Sequence, residues 1–409
     1  MTGLVARTRR LDAHVDLLGA AGRTGVLFEK AGSGLAGRGV AARLAWPAGD
    51  PAAAATAAAG ALAAIASDDE VGAPGCGPVA FGALPFTPGA GSELVVPRVA
   101  VGRADDGTRW ITTVGPPGDP VHEAPAVPEP DEPLPPARRV AVESPVDPAA
   151  WCELVERATK ELADGETAKV VLARELTVTA DRAIDAEAVL GHLRRRYPGC
   201  HLVSVEGLVA ASPEMLVSRV GDVVRSHPMA GTAPRGGDPA ADQRLAGALL
   251  SSAKDRHEHQ ITIDMVHDTL LPWCSYLDYE AEPSVVAVAN VQHLATLVEG
   301  RLSRPAPSVL ELVAALHPTP AVAGWPRAEA ATWIAEHERL DRGRYAGTAG
   351  WADARGNGTW CVTVRAAELA GPVARVFAGV GVVPDSDPAA ELAETSAKFE
   401  ALLTALVRP

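Results

Sequence analysis

Several features that would mark a chain for particular work are missing from this one. Its five cysteines (Cys76, Cys152, Cys200, Cys274 and Cys361) are odd in number, widely spaced, and form no CxxC pair. That pattern argues against a disulfide framework and for free thiols in a reducing compartment, so a cytoplasmic protein is expected. Basic residues are in deficit: 37 Lys and Arg stand against 51 Asp and Glu, a formal net charge of -14, and they do not cluster. Phosphate backbones need a concentrated positive surface, so no nucleic-acid partner is expected. The start, MTGLVARTRR, has no apolar segment after its arginines and does not read as a signal peptide. The long apolar run at 52–66 is mostly alanine, which reads as a helix of a soluble protein, with no membrane span expected. Neither GxGxxG ahead of a helix nor GxxxxGK[ST] occurs, so nucleotide binding is not indicated. No internal repeat is visible.

What is present is a long chain, 409 residues with 47% hydrophobic content, enough for a sizeable core. Three stretches are expected: an N-terminal part at 1–115, a proline-rich linker or surface loop at 116–139, and a catalytic region at 140–409. VGRADDGTRWITT (101–113) predicts a hairpin around an Asp-Gly turn. PPGDPVHEAPAVPEPDEPLPPARR (116–139) is too rich in proline for regular helix or sheet. Beyond it, 148–166 has helical spacing, KVVLARELTVTA (169–180) is a strand, and two or three more strands are expected between 200 and 232. Residues 245–274 read as the longest helical stretch, GTWCVTVRAAEL (358–369) and VARVFAGVGVV (373–383) as a pair of strands, and 388–406 as a closing helix.

An acidic protein must hold an anionic substrate with a few placed cations or a metal. In the closing helix, Glu391, Glu394 and Lys398 are spaced three and four apart and share one face. Two carboxylates on adjacent turns suit a hard cation, with the lysine beside them to hold an anion; a solvated Glu–Lys surface pair is the plainer alternative. In KDRHEHQ (254–260), His257 and His259 are two apart, not four as in HExxH, so zinc is not expected and Glu258 is the more useful ligand. Lys169 opens an apolar strand, where burial favours the neutral amine and makes it a candidate base; a strand-edge position is the alternative. Glu214 follows Ser-Pro at a turn, and in a pocket of low polarity it would stay protonated as an acid. Arg365 suits a carboxylate clamp. MAGTAPRG (229–236), HPTPAVAG (317–324) and FAGVGVV (377–383) suit pocket walls, although ordinary turns and strands account for each taken singly.

Taken in order, KVVLAR, AASPEML, MAGTAPRG, KDRHEHQ, QHLATLVEG, HPTPAVAGWP, GNGTWCVTVRAAEL, FAGVGVVPDSDP and ELAETSAK resemble the chorismate-utilising enzymes of menaquinone, siderophore and tryptophan pathways. The resemblance runs from about residue 150 to the end and extends more weakly into the first hundred through GPVAFGALPF. KDRHEH and HPTPAVAGWP look like the isochorismate synthases, with salicylate synthases the nearest rival. One departure is Leu208-Val209-Ala210-Ala211 ahead of Ser212-Pro213-Glu214, where the family commonly has Phe-x-Gly-Ala. The resemblance implies an α/β fold: one large domain of mainly antiparallel sheets with helices packed outside. It implies chorismate as substrate and Mg2+ as cofactor, held by Glu258 and Glu394, with Glu391 as a further ligand either directly or through a bound water. It also implies Lys169 as base, Glu214 as acid, Arg365 and Lys398 on substrate carboxylates, and Gly231, Thr232, Ala321 and Gly379 as pocket lining. No glutaminase subunit is expected, because the nucleophile would be water.

Overall fold

The computed structural model describes residues 3–165, 167–288 and 291–407. Two large sheets face each other. Among the described residues the larger has 13 strands and the second nine, with a three-stranded sheet beside them. Every pairing among the described strands is antiparallel except Val5–Arg10 with Ala66–Asp69.

Strand alternation sorts the apolar side chains into two cores. In Leu208–Ser212, Leu208 and Ala210 join the core between the sheets with Phe81, Leu94 and Trp360. Val209 and Ala211 point the other way, into a second core under helices. The helices Leu17–Ala21, Ala186–Arg196 and Pro388–Val407 cover that outer face with Leu18, Leu190, Phe399 and Leu402. The architecture is therefore sheet on sheet, with helices packed outside.

The N-terminal strands are built into both sheets. Val26–Lys30 pairs with His201–Val205 in the larger sheet, and Val79–Leu84 pairs with Thr348–Asp353 in the nine-stranded one. The expected hairpin forms between Val99–Arg103 and Arg109–Gly115. The segment 116–139 is irregular apart from one short 3-10 turn at Pro120–His122, which the proline count had argued against. It is tied down: Asp131 accepts from the Arg23 backbone, and the Leu134 and Arg138 N–H groups donate to Asp185 and Asp181.

Three expectations change. The long helical stretch is two helices, Pro239–Ser251 and Ala253–Leu270. Ser252 is extended at ψ 112 and its hydroxyl accepts from Asp255 N–H, so one residue both ends a helix and caps the next. Five strands, not two or three, lie between His201 and Pro234, because tight turns at 206–207 and 221–222 leave room for more. GTWCVTVRAAEL is not one strand: Gly358–Val362 belongs to the nine-stranded sheet and Ala366–Ala370 to the larger one. Helix Pro148–Asp164 forms as expected, with Glu166 of that stretch outside the described residues.

Candidate active site

Two segments cross from one sheet to the other side by side. Leu208–Ser212 lies in the larger sheet and Met215–Val220 in the nine-stranded one, with Pro213 and Glu214 at the crossing. The second segment crosses back between Val362 and Ala366, with Arg365 at the crossing. The two are bonded together there: Val362 N–H donates to Glu214 O (3.1 Å) and Ala211 N–H to Arg365 O (3.2 Å). Arg365 has φ +49, a left-handed conformation that costs about 1–3 kcal/mol and is concentrated at functional sites. The structure thus removes Arg365 from the strand expected for it and sets it beside Glu214.

Both open onto a cleft of about 290 Å³. All eleven residues singled out from the sequence line it: Lys169, Glu214, Gly231, Thr232, Glu258, Ala321, Arg365, Gly379, Glu391, Glu394 and Lys398. Four polar lining residues were not singled out: Lys254, Asp255, His293 and Tyr345. The first two sit inside KDRHEHQ and were within reach of the motif. Tyr345 is in an irregular loop that gives no periodic signal.

Glu214 is 6% exposed, and burial pushes its carboxyl up to about 8; a hydrogen bond from Met229 N–H and the charges of Lys169 and Arg365 oppose this only in part. It is a protonated acid at neutral pH. Lys169, also 6% exposed, points into the cleft and donates to Glu258 Oε1 at 2.6 Å. Burial raises the Glu258 carboxyl, but the charge and hydrogen bond of Lys169 outweigh it and leave the group below its ordinary range. Periodicity could not show that Glu258 reaches Lys169.

His293 links two walls. Arg365 Nη2 donates to its Nε2 (3.1 Å), and its Nδ1 lies 3.2 Å from Gly231 O. A guanidinium only donates and a carbonyl only accepts, so Nδ1 carries the hydrogen and the ring is neutral. Burial and Arg365 agree with this, holding the ring down to about 3.

On the closing helix, Lys398 Nζ donates to Glu394 (2.7 Å) and to Gly379 O (2.8 Å). Burial, and then the neighbouring Glu394, raise Glu391, with Ser386 opposing. Bare backbone matters opposite this helix. A Cβ on Gly379 would stand 2.7 Å from Tyr345 Oη, and one on Gly381 would stand 2.5 Å from Lys169 Cε.

For a metal, the donor set is three carboxylates, hard oxygen ligands of the kind magnesium prefers. Glu391, raised beside Glu394, is a site that gains from a cation. The donors fit by type, but among the described residues no three such groups stand together as a finished cage. Glu258 and Glu394 are each closed on a lysine and would have to turn. Zinc finds nothing at KDRHEHQ: His259 is buried on Thr296 (2.8 Å) while His257 is exposed. Among the described residues no helix is long and apolar enough to cross a membrane.

A buried acid beside a lysine, with further cationic side chains around the same cleft, is the equipment of acid–base chemistry on a small anionic molecule. The particular family follows from comparison. The family model described as "Chorismate binding enzyme" matches residues 26–407, and the chain belongs to that family. Isochorismate synthase DhbC of Bacillus subtilis is 42% identical over 271 residues, 64% of this chain and 68% of its own. A Mycobacterium tuberculosis (strain H37Rv) protein, provisionally named isochorismate synthase MenF, is 41% identical over 347 residues, 81% of this chain and 87% of its own. The solved structure of MenF, the menaquinone-specific isochorismate synthase of Escherichia coli, superposes with a TM-score of 0.83 at 26% identity, covering 99% of this chain and 95% of that one.

Proposed function

We propose that this chain is a magnesium-dependent isochorismate synthase, converting chorismate reversibly to isochorismate for menaquinone or siderophore biosynthesis. The observation that carries the chemistry is Glu214, buried and held up to about 8 in the same cleft as Lys169. An acid kept protonated at neutral pH is what departure of a ring hydroxyl requires.

Chorismate bears a ring carboxylate and an enolpyruvyl carboxylate. Arg365 and Lys398 face the cleft and neutralise this charge, with Arg365 held by His293. Gly231, Thr232, Ala321 and Gly379 form walls that let the ring lie close to backbone. Lys169 takes a proton from water as it attacks the ring carbon next to the carboxylate-bearing one. Glu214 gives its proton to the hydroxyl leaving from the other carbon of the allylic system, so one water enters and one departs. Glu258, Glu394 and Glu391 would hold Mg2+, which supplies positive charge for the ring carboxylate. Glu258 cannot serve Lys169 and a cation with the same oxygen, so a cation held by Glu258 would release the Lys169 amine toward the water. Water as nucleophile requires no glutaminase subunit. Five free cysteines accord with a cytoplasmic setting.

Purified chain incubated with chorismate and magnesium, with products separated by chromatography, tests this. Isochorismate without pyruvate is expected. Salicylate with equimolar pyruvate would make the chain a salicylate synthase, and an amino product formed only with ammonia would end the proposal.

A further inference from the structure

The strand Lys169–Ala180 carries the lysine of the cleft, yet one of its sides is incomplete. Val373–Val382 pairs with Val170 to Thr179 on one side. On the other, Gly324–Trp325 covers only Lys169 and Val170, and Val140–Glu143 covers only Thr177 to Ala180. Between them, among the described residues, no strand lies beside Val171 to Leu176. Backbone groups left open there would need water or another partner.

Side chains fill much of the gap. Glu338 Oε2 accepts from Ala173 N–H at 2.7 Å, and Arg342 Nη2 donates to Val171 O at 2.6 Å. Trp151 Nε1 donates to Ala173 O at 3.1 Å. Arg342 and Glu338 are joined by two parallel bonds, Nε to Oε1 at 2.6 Å and Nη2 to Oε2 at 2.8 Å. The guanidinium has a third duty, since Nη1 donates to Val322 O at 3.1 Å. Its flat face lies 4.2 Å from the centre of the Phe86 ring. The pair is nearly sealed, with side chains 2% and 3% exposed.

What it grips decides its use. Val171 and Val322 both line the cleft, two residues from Lys169 and one from Ala321. Along a strand, Lys169 and Val171 face the same way, so fixing the backbone at 171 fixes where Lys169 points. Val171 N–H also donates directly to Ala323 O at 2.9 Å, and the buried ion pair extends that tie by gripping Val171 O and Val322 O together, so it helps set the spacing between the lysine and the wall made by 321–322.

We infer that Glu338 and Arg342 are positioning residues for the reaction, holding the Lys169 strand and the 321–322 wall at the distance that turnover needs. The inference rests on the proposed isochorismate synthase activity. Neither residue lines the cleft beside substrate, so their effect is on geometry and not on substrate affinity.

Arg342→Lys keeps a charge opposite Glu338 but cannot make the two-pronged contact while reaching both carbonyls. A displacement of about 1 Å at a reacting group costs on the order of a hundredfold, so kcat should fall by about that much. The Kd for chorismate, measured by titration calorimetry with magnesium present, should not change. The double variant Glu338→Leu/Arg342→Met removes both charges at once and strands neither. It leaves Ala173 N–H, Val171 O and Val322 O without those partners, so it should melt below the unsubstituted chain while remaining folded, and still turn over as slowly as Arg342→Lys. Either folded variant decides the question. Unchanged kcat, a loss accounted for by weaker chorismate binding, or kcat restored together with stability in the double variant overturns the inference. If the unsubstituted chain leaves chorismate untouched, the proposed function has failed instead, and the same assay shows that first.

Discussion

A carboxyl titrating near 8 gives the rate a pH signature. Glu214 must be protonated to act, so kcat should be level below neutrality and fall as pH rises through about 8. Glu214→Gln should remove that limb and lower kcat by about a hundred- to ten-thousand-fold, with KM little altered. A stopped-flow or endpoint pH series on both proteins checks it; a wild-type rate that stays flat to pH 10 on the scale of about two units past that group sinks the assignment. Lys169→Ala should show a loss of similar size. For the carboxylates, chelator should abolish turnover and magnesium restore it. Glu258→Gln and Glu394→Gln should remain folded by circular dichroism yet stay inactive as magnesium is raised. Full activity of either in metal-free buffer would rule out their role as ligands.

At the scale of elements, the closing helix is fastened from the strand that carries Lys169. Arg174 donates through Nη1 to Thr395 Oγ1 (2.9 Å), Ser396 Oγ (3.1 Å) and Leu392 O (3.3 Å), packed between Trp151 and Phe399. Arg174→Met leaves those acceptors without their charged donor, a loss of about 1–3 kcal/mol. It should lower the melting temperature and raise the magnesium needed for half activity, because Glu391 and Glu394 ride on the same helix. A shift in stability with no change in magnesium requirement would separate the helix from the metal. This helix was also the most legible part of the sequence, since a spacing of three and four fixes a shared face without any tertiary knowledge. The strand 169–180 was equally plain from its β-branched run. Other features left no such mark. Glu338 and Arg342 sit four apart, as countless surface pairs do, and only the fold makes them 3% and 2% exposed. Arg365 looked like a strand residue because the chain on both sides of it is strand; that the two belong to different sheets is a long-range fact. The break at Ser252 was hidden because serine is tolerated within helices and signals a cap only once the chain turns.

Across the whole molecule, buried histidines set the acid limit. His201 and His293 are held down to about 3, and His259 and His317 to about 4, burial being the largest cause in each. The unfolded chain would protonate them near 6.5, so their stabilising contribution is complete above that pH and is lost as pH falls toward the folded values. Each should cost on the order of 1 kcal/mol per pH unit in that window. Glu214, raised by burial, acts the other way over the same range, as Glu29 and Glu391 do more weakly, leaving a net loss. Urea unfolding at pH 7 and pH 5 should show a clearly lower midpoint at pH 5; equal midpoints would mean that these rings find proton-accepting partners when charged.

The pairing of the first strands with the last has a consequence in time. Val79–Leu84 takes its place in the nine-stranded sheet beside Thr348–Asp353, about 270 residues further along. A ribosome adding about 5–20 residues each second needs on the order of tens of seconds to make that partner. Through that interval Val79 and Phe81, both wholly buried in the finished protein, have no permanent neighbour on that side. The nascent chain must shelter that strand until residues 348–353 emerge, and ribosome-bound chains halted before residue 348 should be protease-sensitive around Val79–Leu84.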